Sequence, residues 1–135
     1  MTRAADSSVT VAALLIGHPE HDAAADALAA SDVTIAHAAL ETYSVLTRLP
    51  APHRVDGRTA ATVLAERTPT SHVTLSASKH AKVASRLAGA GVSGGATYDG
   101  LIALTALEHG LELLTRDRRA ERTYRALQVP YTLLV

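Results

Sequence analysis

Residues 97–117, TYDGLIALTALEHGLELLTRD, contain a long apolar segment and a short one, separated by a glycine. The nearly continuous apolar character predicts a buried helix over 97–109, and Gly110 supplies a helix stop. The next five residues, 111–115, predict a buried strand. A helix followed at once by a short strand is typical of α/β proteins with parallel strands.

The same alternation of short strands and longer helices continues on both sides of this segment. Further strands are predicted over 2–5, 33–36, 72–75 and 131–134, and further helices over 37–49, 56–67, 78–88 and 118–127. The helix over 78–88 is expected to stop at Gly89. The segment 2–5 is poor strand sequence, but the topology requires a first strand there. The prediction is a single α/β domain over residues 1–135, with a parallel sheet of four or five short strands.

The composition excludes several classes of protein. Lys and Arg total 13 and balance 13 Asp and Glu, which argues against a uniformly basic nucleic-acid-binding module. The absence of Cys excludes disulfides and thiolate metal sites. Four Tyr without Trp or Phe argue against an aromatic platform for stacking bases. Without a long apolar run or a convincing signal peptide, a cytoplasmic protein with no membrane association is expected.

Four acids are expected near the carboxyl ends of the strands: Asp6 and Asp117 directly follow predicted strands, Glu41 lies one turn into the next helix, and Asp99 lies in the first turn of the helix over 97–109. Each has a structural alternative: Asp6 and Asp117 as helix caps, Asp99 as a first-turn acid and Glu41 as a solvated residue. Taken together they predict a binding site, because ligands bind at the carboxyl ends of parallel strands. Carboxylate oxygens without thiolates suit a hard cation such as Mg²⁺ or Mn²⁺, which activates water.

Four segments carry a resemblance to a known family, and they stand in the family's order and spacing. They are DSS (6–8), ALETYSVLTRLP (39–50), YDGLIALTALEHG (98–110) and LLTRD (113–117). This ordered set resembles the PIN domain, and more closely the VapC-type toxins of toxin–antitoxin pairs. The resemblance implies a three-layer α/β/α fold with a short central parallel sheet. It also implies a metal-dependent endoribonuclease that hydrolyses RNA phosphodiesters with metal-activated water and acts as a toxin.

The resemblance also assigns roles by position. The catalytic quartet is implied to be Asp6, Glu41, Asp99 and Asp117, of which Asp6, Asp99 and Asp117 hold Mg²⁺, with Mn²⁺ as a substitute. Ser7 and Thr115 match supporting hydroxyl positions, and Ser7 stands where Thr is commoner. Arg119 stands where many relatives carry a further acid. The implied partners are RNA, a cognate small antitoxin, and a second copy in a homodimer or a hetero-oligomer with the antitoxin.

Arginines are concentrated beside the last acid, whereas Ala4 to Thr47 contain acids but no Lys or Arg. Arg118, Arg122 and Arg125 share one stripe of the predicted last helix. A phosphate-binding rim and a solvated face both explain such a stripe. The candidate RNA contacts are Arg116, Arg118, Arg119 and Arg122.

Other interpretations remain open at this level. A PIN-like domain without catalysis would serve as a protein-interaction module, and a housekeeping nuclease would process RNA. The GxGxxG pattern over 89–94 follows a predicted helix, so it favours a flexible connection over a dinucleotide site. His18 and His21 have HxxH spacing, but HExxH is absent and scattered histidines are the simpler interpretation. His37, four residues before Glu41, is expected near the acids.

Overall fold

The computed structural model describes residues 1–134, which form eight α-helices, one 3₁₀ turn over Gly94–Ala96 and five strands. The strands are β1 (Arg3–Ala5), β2 (Thr34–Ile35), β3 (His72–Val73), β4 (Glu112–Thr115) and β5 (Tyr131–Leu133). The helices are α1 (Ser7–Leu14), α2 (His21–Ala29), α3 (Ala36–Thr47), α4 (Gly57–Arg67), α5 (Ala77–His80), α6 (Val83–Gly89), α7 (Thr97–Glu108) and α8 (Ala120–Ala126).

All strand pairs are parallel, but the hydrogen-bonded ladder is split into two parts. β4 lies between β1 and β5, and β2 pairs separately with β3. The prediction of one continuous sheet is therefore wrong in this detail. At the break, Arg3 O of β1 accepts from Asp32 N–H (2.8 Å), and Arg3 N–H donates to Asp32 Oδ2 (2.8 Å). These bonds go to the loop before β2, and they place β2 beside β1.

The core lies on both sides of the sheet, because side chains alternate along each strand. Ala5 and Leu114 pack with Val9 and Leu28, from α1 and α2. The neighbouring strand residues Ala4 and Leu113 face the other side of the sheet. There they belong to a larger cluster that includes residues of α3, α6, α7 and α8. The predicted three-layer α/β/α architecture is confirmed.

The helix predicted over 78–88 is wrong in its extent. The segment forms two helices, α5 and α6, separated at Ala81 and Lys82. α5 buries no residue, whereas α6 buries Leu87, so packing holds only the second part against the core. The left-handed glycine that follows is Gly91 (φ +74°) and not Gly89, which is the last residue of α6.

The long apolar helix α7 is positioned at both ends by glycine. Gly110 has φ +65° and ends the helix as predicted. Gly100 is buried, and a Cβ there would lie 2.6 Å from Leu87 Cδ2 of α6. The missing side chain lets α6 approach the first turn of α7, next to Asp99. Within residues 1–134, no helix has the length and apolar character needed to cross a membrane.

Candidate functional site

Asp6 lies at the end of β1 and caps α1. Its Oδ1 accepts from Ser8 N–H (3.0 Å), from Val9 N–H (3.4 Å) and from the Ser8 hydroxyl. Its Oδ2 accepts from the Tyr124 hydroxyl (2.7 Å). The residue is only 3% exposed, and burial raises the pKa of its carboxyl although these hydrogen bonds oppose the rise. Asp6 is thus a helix cap, and also a buried acid at the sheet edge.

Glu41 lies on α3 and is partly buried, so the alternative interpretation of a solvated helix residue is wrong. Its Oε1 accepts from the Ser7 hydroxyl (3.3 Å), and its Oε2 is 4.0 Å from His37 Nε2. Burial raises the pKa of Glu41, while His37 and the Ser7 hydrogen bond oppose the rise. Ser7 therefore contacts the second acid of the quartet, and His37 lies beside it as expected.

Asp117 follows β4 and shapes the turn before α8. Its Oδ1 accepts from Arg119 N–H (2.9 Å), and Arg119 Nε is 3.7 Å away from the same oxygen. Its own N–H donates to Thr115 Oγ1 (3.1 Å), which places Thr115 next to this acid. Asp117 is not the cap of α8, because that helix begins at Ala120 after Arg119.

Asp99 lies in the first turn of α7, near enough to the other three acids for their charges to act on it. The three side chains expected on its face of the helix, Ile102, Ala103 and Ala106, are 0% exposed. The pKa of Asp99 is raised to about 6, first by burial and then by the negative charges of Asp6, Glu41 and Asp117. Arg119 opposes this rise. Contacts through Ser7, Ser8 and Thr115 link Asp6, Glu41 and Asp117 at one edge of the sheet, and Asp99 lies within range of their charges.

The donor set fits a hard divalent cation in its chemistry and its charge. The four groups are carboxylates in partly desolvated surroundings, and a cation would relieve the repulsion that raises the pKa of Asp99. Across residues 1–134, however, no three acidic or histidine side chains are grouped closely enough to hold an ion together. The acids therefore form an anionic cluster without a preassembled three-ligand cage. His18 and His21 likewise belong to no such group in this part of the chain.

Ser8 is a site residue that the sequence interpretation missed. Its hydroxyl donates to Asp6 Oδ1 and accepts from Arg116 N–H (2.9 Å). Thr115 Oγ1 is 3.4 Å from the same hydroxyl oxygen. Ser8 therefore ties the end of β4 to Asp6. The signal available in the sequence was a hydroxyl residue two positions after a predicted capping Asp.

Tyr124 of α8 is the second residue that was missed. It is 0% exposed, and its hydroxyl donates to Asp6. Burial and the negative charge of Asp6 raise the pKa of Tyr124, so the phenol stays protonated and remains a donor. Ala120, Thr123 and Leu127 are buried with it, and this helical spacing indicated an inward-facing phenol that needs a polar partner.

The candidate RNA-contacting arginines have different surroundings. Arg118, Arg119 and Arg122 are exposed, and Arg119 also pairs with Asp117. Arg119 and Arg122 line a groove of about 490 Å³ against the loop that follows α6. Arg125 is engaged within the chain, because its guanidinium contacts Glu121 Oε1 (3.2 Å) and the Tyr131 hydroxyl (2.8 Å). The structure leaves Arg116 partly buried.

Comparison with known proteins agrees with this geometry. Residues 4–126 match the PIN domain. The chain is 46% identical over 131 residues to Ribonuclease VapC40 of Mycobacterium tuberculosis (strain ATCC 25618 / H37Rv). The aligned region covers 97% of this chain and 98% of that protein. The chain is 41% identical over 127 residues to Ribonuclease VapC27 of the same organism, covering 93% and 92%. The resemblance inferred from the acidic segments is confirmed, and the chain belongs to the PIN-domain family.

Proposed function

We propose that this chain is a metal-dependent endoribonuclease that acts as the toxin of a toxin–antitoxin pair. The observation that carries the proposal is the set of hydroxyl contacts that links Asp6, Glu41 and Asp117 at the carboxyl edge of the sheet, through Ser7, Ser8 and Thr115. Asp99 lies near enough for the charges of these acids to act on it. The relatives VapC40 and VapC27 are named ribonucleases, which supports the same activity here. The substrate class is RNA, and the reaction is hydrolysis of a phosphodiester.

Three of the acids would hold Mg²⁺, or Mn²⁺ in its place, once their side chains draw together around it: Asp6, Asp99 and Asp117. When bound, the ion would act as a Lewis acid toward the phosphate oxygens and lower the pKa of its bound water. Asp6 is suited to a fixed ligand because hydrogen bonds restrain both of its oxygens. Asp99 and Asp117 come from α7 and from the end of β4, so the site depends on the packing of three separate elements.

Glu41 is assigned to orient the attacking water and to accept its proton at the carboxylate. Its raised pKa makes it a better base than an ordinary solvated Glu. The Ser7 hydroxyl donates to Oε1, so Oε2, on the His37 side, is the oxygen with more capacity to accept. Ser7 therefore orients Glu41, and Thr115 and Ser8 orient the ends of β4 and β1.

The positive charge for RNA comes from Arg116, Arg118, Arg119 and Arg122. An acidic cluster by itself repels a phosphate, so a rim of arginines is needed to offset this repulsion. The arginines follow directly after Thr115 and continue onto α8, beside Asp117. A protein of zero net charge can bind RNA through such a local field.

The proposed partner is a cognate small antitoxin that presents a basic segment to the acids. Arg or Lys from such a segment would pair with the carboxylates and compete with the cation. The assembly is a homodimer or a hetero-oligomer with this antitoxin. A housekeeping nuclease would lack such a partner, which is how the two nuclease interpretations differ.

A second candidate function is a PIN-like interaction module without catalysis. The absence of a three-ligand group within residues 1–134 and the pairing of Arg119 with Asp117 favour it. Cleavage of a labelled single-stranded RNA in Mn²⁺, Mg²⁺ and EDTA, combined with Mn²⁺ calorimetry, separates the two functions. We expect cleavage that EDTA abolishes and that Asp99→Asn removes, whereas Asp26→Asn on α2 leaves it intact. Full activity of Asp99→Asn, or no carboxylate-dependent Mn²⁺ binding, would contradict the nuclease proposal.

A further inference from the structure

Two rings stack at the border of the acidic cluster. The centroids of the His37 and Tyr98 rings are 5.6 Å apart, and their planes differ by 13°. Tyr98 directly precedes Asp99, and His37 lies 4.0 Å from Glu41. The aromatic pair therefore lies next to two of the four acids. Tyr98 is 56% exposed, so part of its ring faces solvent although it has a stacking partner.

A groove of about 380 Å³ runs along this pair. Ser7 and Glu41 line it on the side of the acids, and Tyr98 and Leu40 supply apolar surface. Leu40 is 65% exposed, although it lies on a helix that packs into the core. Arg48 also lines the groove, and its positive charge acts on Glu41. The groove thus combines a cation, apolar surface and an aromatic ring beside a candidate catalytic acid.

This combination is complementary to an unpaired nucleotide. Single-stranded RNA is recognised mainly by stacking of its bases on aromatic side chains, and its phosphates are contacted by Arg. The volume is within the roughly 300–1,000 Å³ of small-molecule sites, so a base fits. Because His37 stacks on Tyr98, the phenol ring is already restrained, and ordering it costs less entropy on binding.

We infer that this groove is a base subsite, in which an unpaired RNA base adjoining the scissile phosphate stacks on Tyr98 while Arg48 contacts the neighbouring phosphate. The inference rests on the proposed function, since the scissile phosphate must lie at the cation that the acids would hold. It also changes the conclusion drawn from composition. Four tyrosines argued against a stacking platform, but the fold exposes one of them at the site.

The test compares two RNA hexamers that share one backbone: hexaadenylate, and a hexamer whose nucleotides lack their bases. Binding is measured by fluorescence anisotropy in EDTA, in the Asp99→Asn background, which removes one repelling charge and prevents cleavage. Hexaadenylate should bind more tightly than the abasic hexamer. Tyr98→Ala should weaken hexaadenylate binding about 5- to 150-fold, while leaving the abasic hexamer unchanged. Tyr98→Phe keeps the stacking face and should retain binding, and Arg48→Ala should weaken both hexamers.

A second readout uses the absence of Trp from the chain. Tyr98→Trp introduces one reporter at the groove, and Ile16→Trp introduces one at a site 87% exposed beyond the far end of α1. Hexaadenylate should quench the first and not the second. Equal affinity of the two hexamers, or equal quenching of the two reporters, would show that the groove does not bind a base. Its apolar surface would then be explained by contact with a protein.

The two proposals fail in different ways. If the wild-type chain cleaves RNA but binding does not depend on bases, the subsite is wrong and the nuclease stands. If binding depends on Tyr98 and on bases but no metal supports cleavage, the groove still binds an unpaired base, and the nuclease and the place of the groove beside a scissile phosphate are both wrong.

Discussion

The Tyr124 hydroxyl donates a 2.7 Å hydrogen bond to Asp6 Oδ2, although the two residues are 118 positions apart in the sequence. Asp6 Oδ1 is engaged by the first turn of α1, so the phenol completes the restraint of the carboxylate. Tyr124 is buried behind Asp6 and does not line the groove beside Glu41. We therefore regard it as a positioning residue that acts through Asp6.

Tyr124→Phe should weaken Mn²⁺ binding about 10- to 100-fold, because groups that orient a metal ligand carry effects of this size. The free energy of unfolding should fall by about 1–3 kcal/mol, since a charged acceptor loses a buried donor. Calorimetry with Mn²⁺ and urea unfolding measure the two effects separately.

The matched control is Tyr131→Phe. Its hydroxyl bonds to Glu121 (2.9 Å) and its ring packs against Tyr124, so it removes a comparable hydrogen bond without touching Asp6. This variant should lose stability and keep its affinity for Mn²⁺. Equal losses of affinity in the two variants would assign Tyr124 a purely structural role.

Asp99→Asn should stabilise the fold at neutral pH. The folded-state pKa of Asp99 is about 6, above its unfolded value of 3.8, so folding favours the protonated form. The stabilising contribution of this proton is complete below about pH 4 and is lost as pH rises through 6. At pH 7.5 the variant should be more stable by about 1–2 kcal/mol after allowance for solvent screening.

Urea unfolding at pH 7.5 and pH 4.5 in EDTA checks this, and the difference between the two proteins should shrink at the lower pH. Asp26→Asn, an exposed change on α2, is the control. A variant less stable than the wild type at pH 7.5 would mean that Asp99 is stabilised as an anion.

The acids should separate into ligands and a base. Asp117→Asn should weaken both Mn²⁺ binding and RNA cleavage. Glu41→Gln should abolish cleavage but change Mn²⁺ affinity much less, because Glu41 is assigned to water and not to the ion. Calorimetry and single-turnover cleavage measure the two properties, with Glu66→Gln on α4 as an exposed control. Parallel loss of metal binding in both variants would place Glu41 among the ligands.

Replacing Arg118 and Arg122 together by Ala should weaken RNA binding and reduce its salt dependence. Each lost phosphate contact lowers the slope of log affinity against log salt by about one. The control is Arg58→Ala with Arg67→Ala, an equal charge change on α4, which packs on α3. The same slope in the wild type and in the Arg118 and Arg122 variant would show that these arginines are only solvated.

Expression of the chain alone should arrest growth, and co-expression of a small protein encoded beside it should relieve the arrest. The two proteins should co-purify, and replacing the basic residue that the partner places at the acids should restore RNA cleavage. A chain that is harmless alone and captures no such product would contradict the toxin assignment even if it cleaves RNA.

The sequence by itself determined the alternation of parallel strands with helices and the expectation that acids following those strands meet at one edge. Apolar segments of strand and helix length, with Gly110 as a stop, indicated parallel strands joined by helices. Parallel strands end at one edge, so acids placed after them had to meet. For this reason Asp6, Glu41 and Asp117 could be named before any coordinates, whereas Asp99 follows no strand and was named from the buried face of its helix. The resemblance then supplied their roles.

Only the tertiary structure decided which side chains support those acids. The Tyr124 bond to Asp6, the link from Ser8 to the end of β4, and the pairing of Arg125 with Tyr131 all depend on how distant elements pack. The division of α5 from α6 also follows from packing, because only α6 buries a residue. The exposure of Tyr98 beside His37 also depends on how α3 and α7 pack against each other. Local spacing encodes the face of a helix or strand, but it does not encode which partner that face meets.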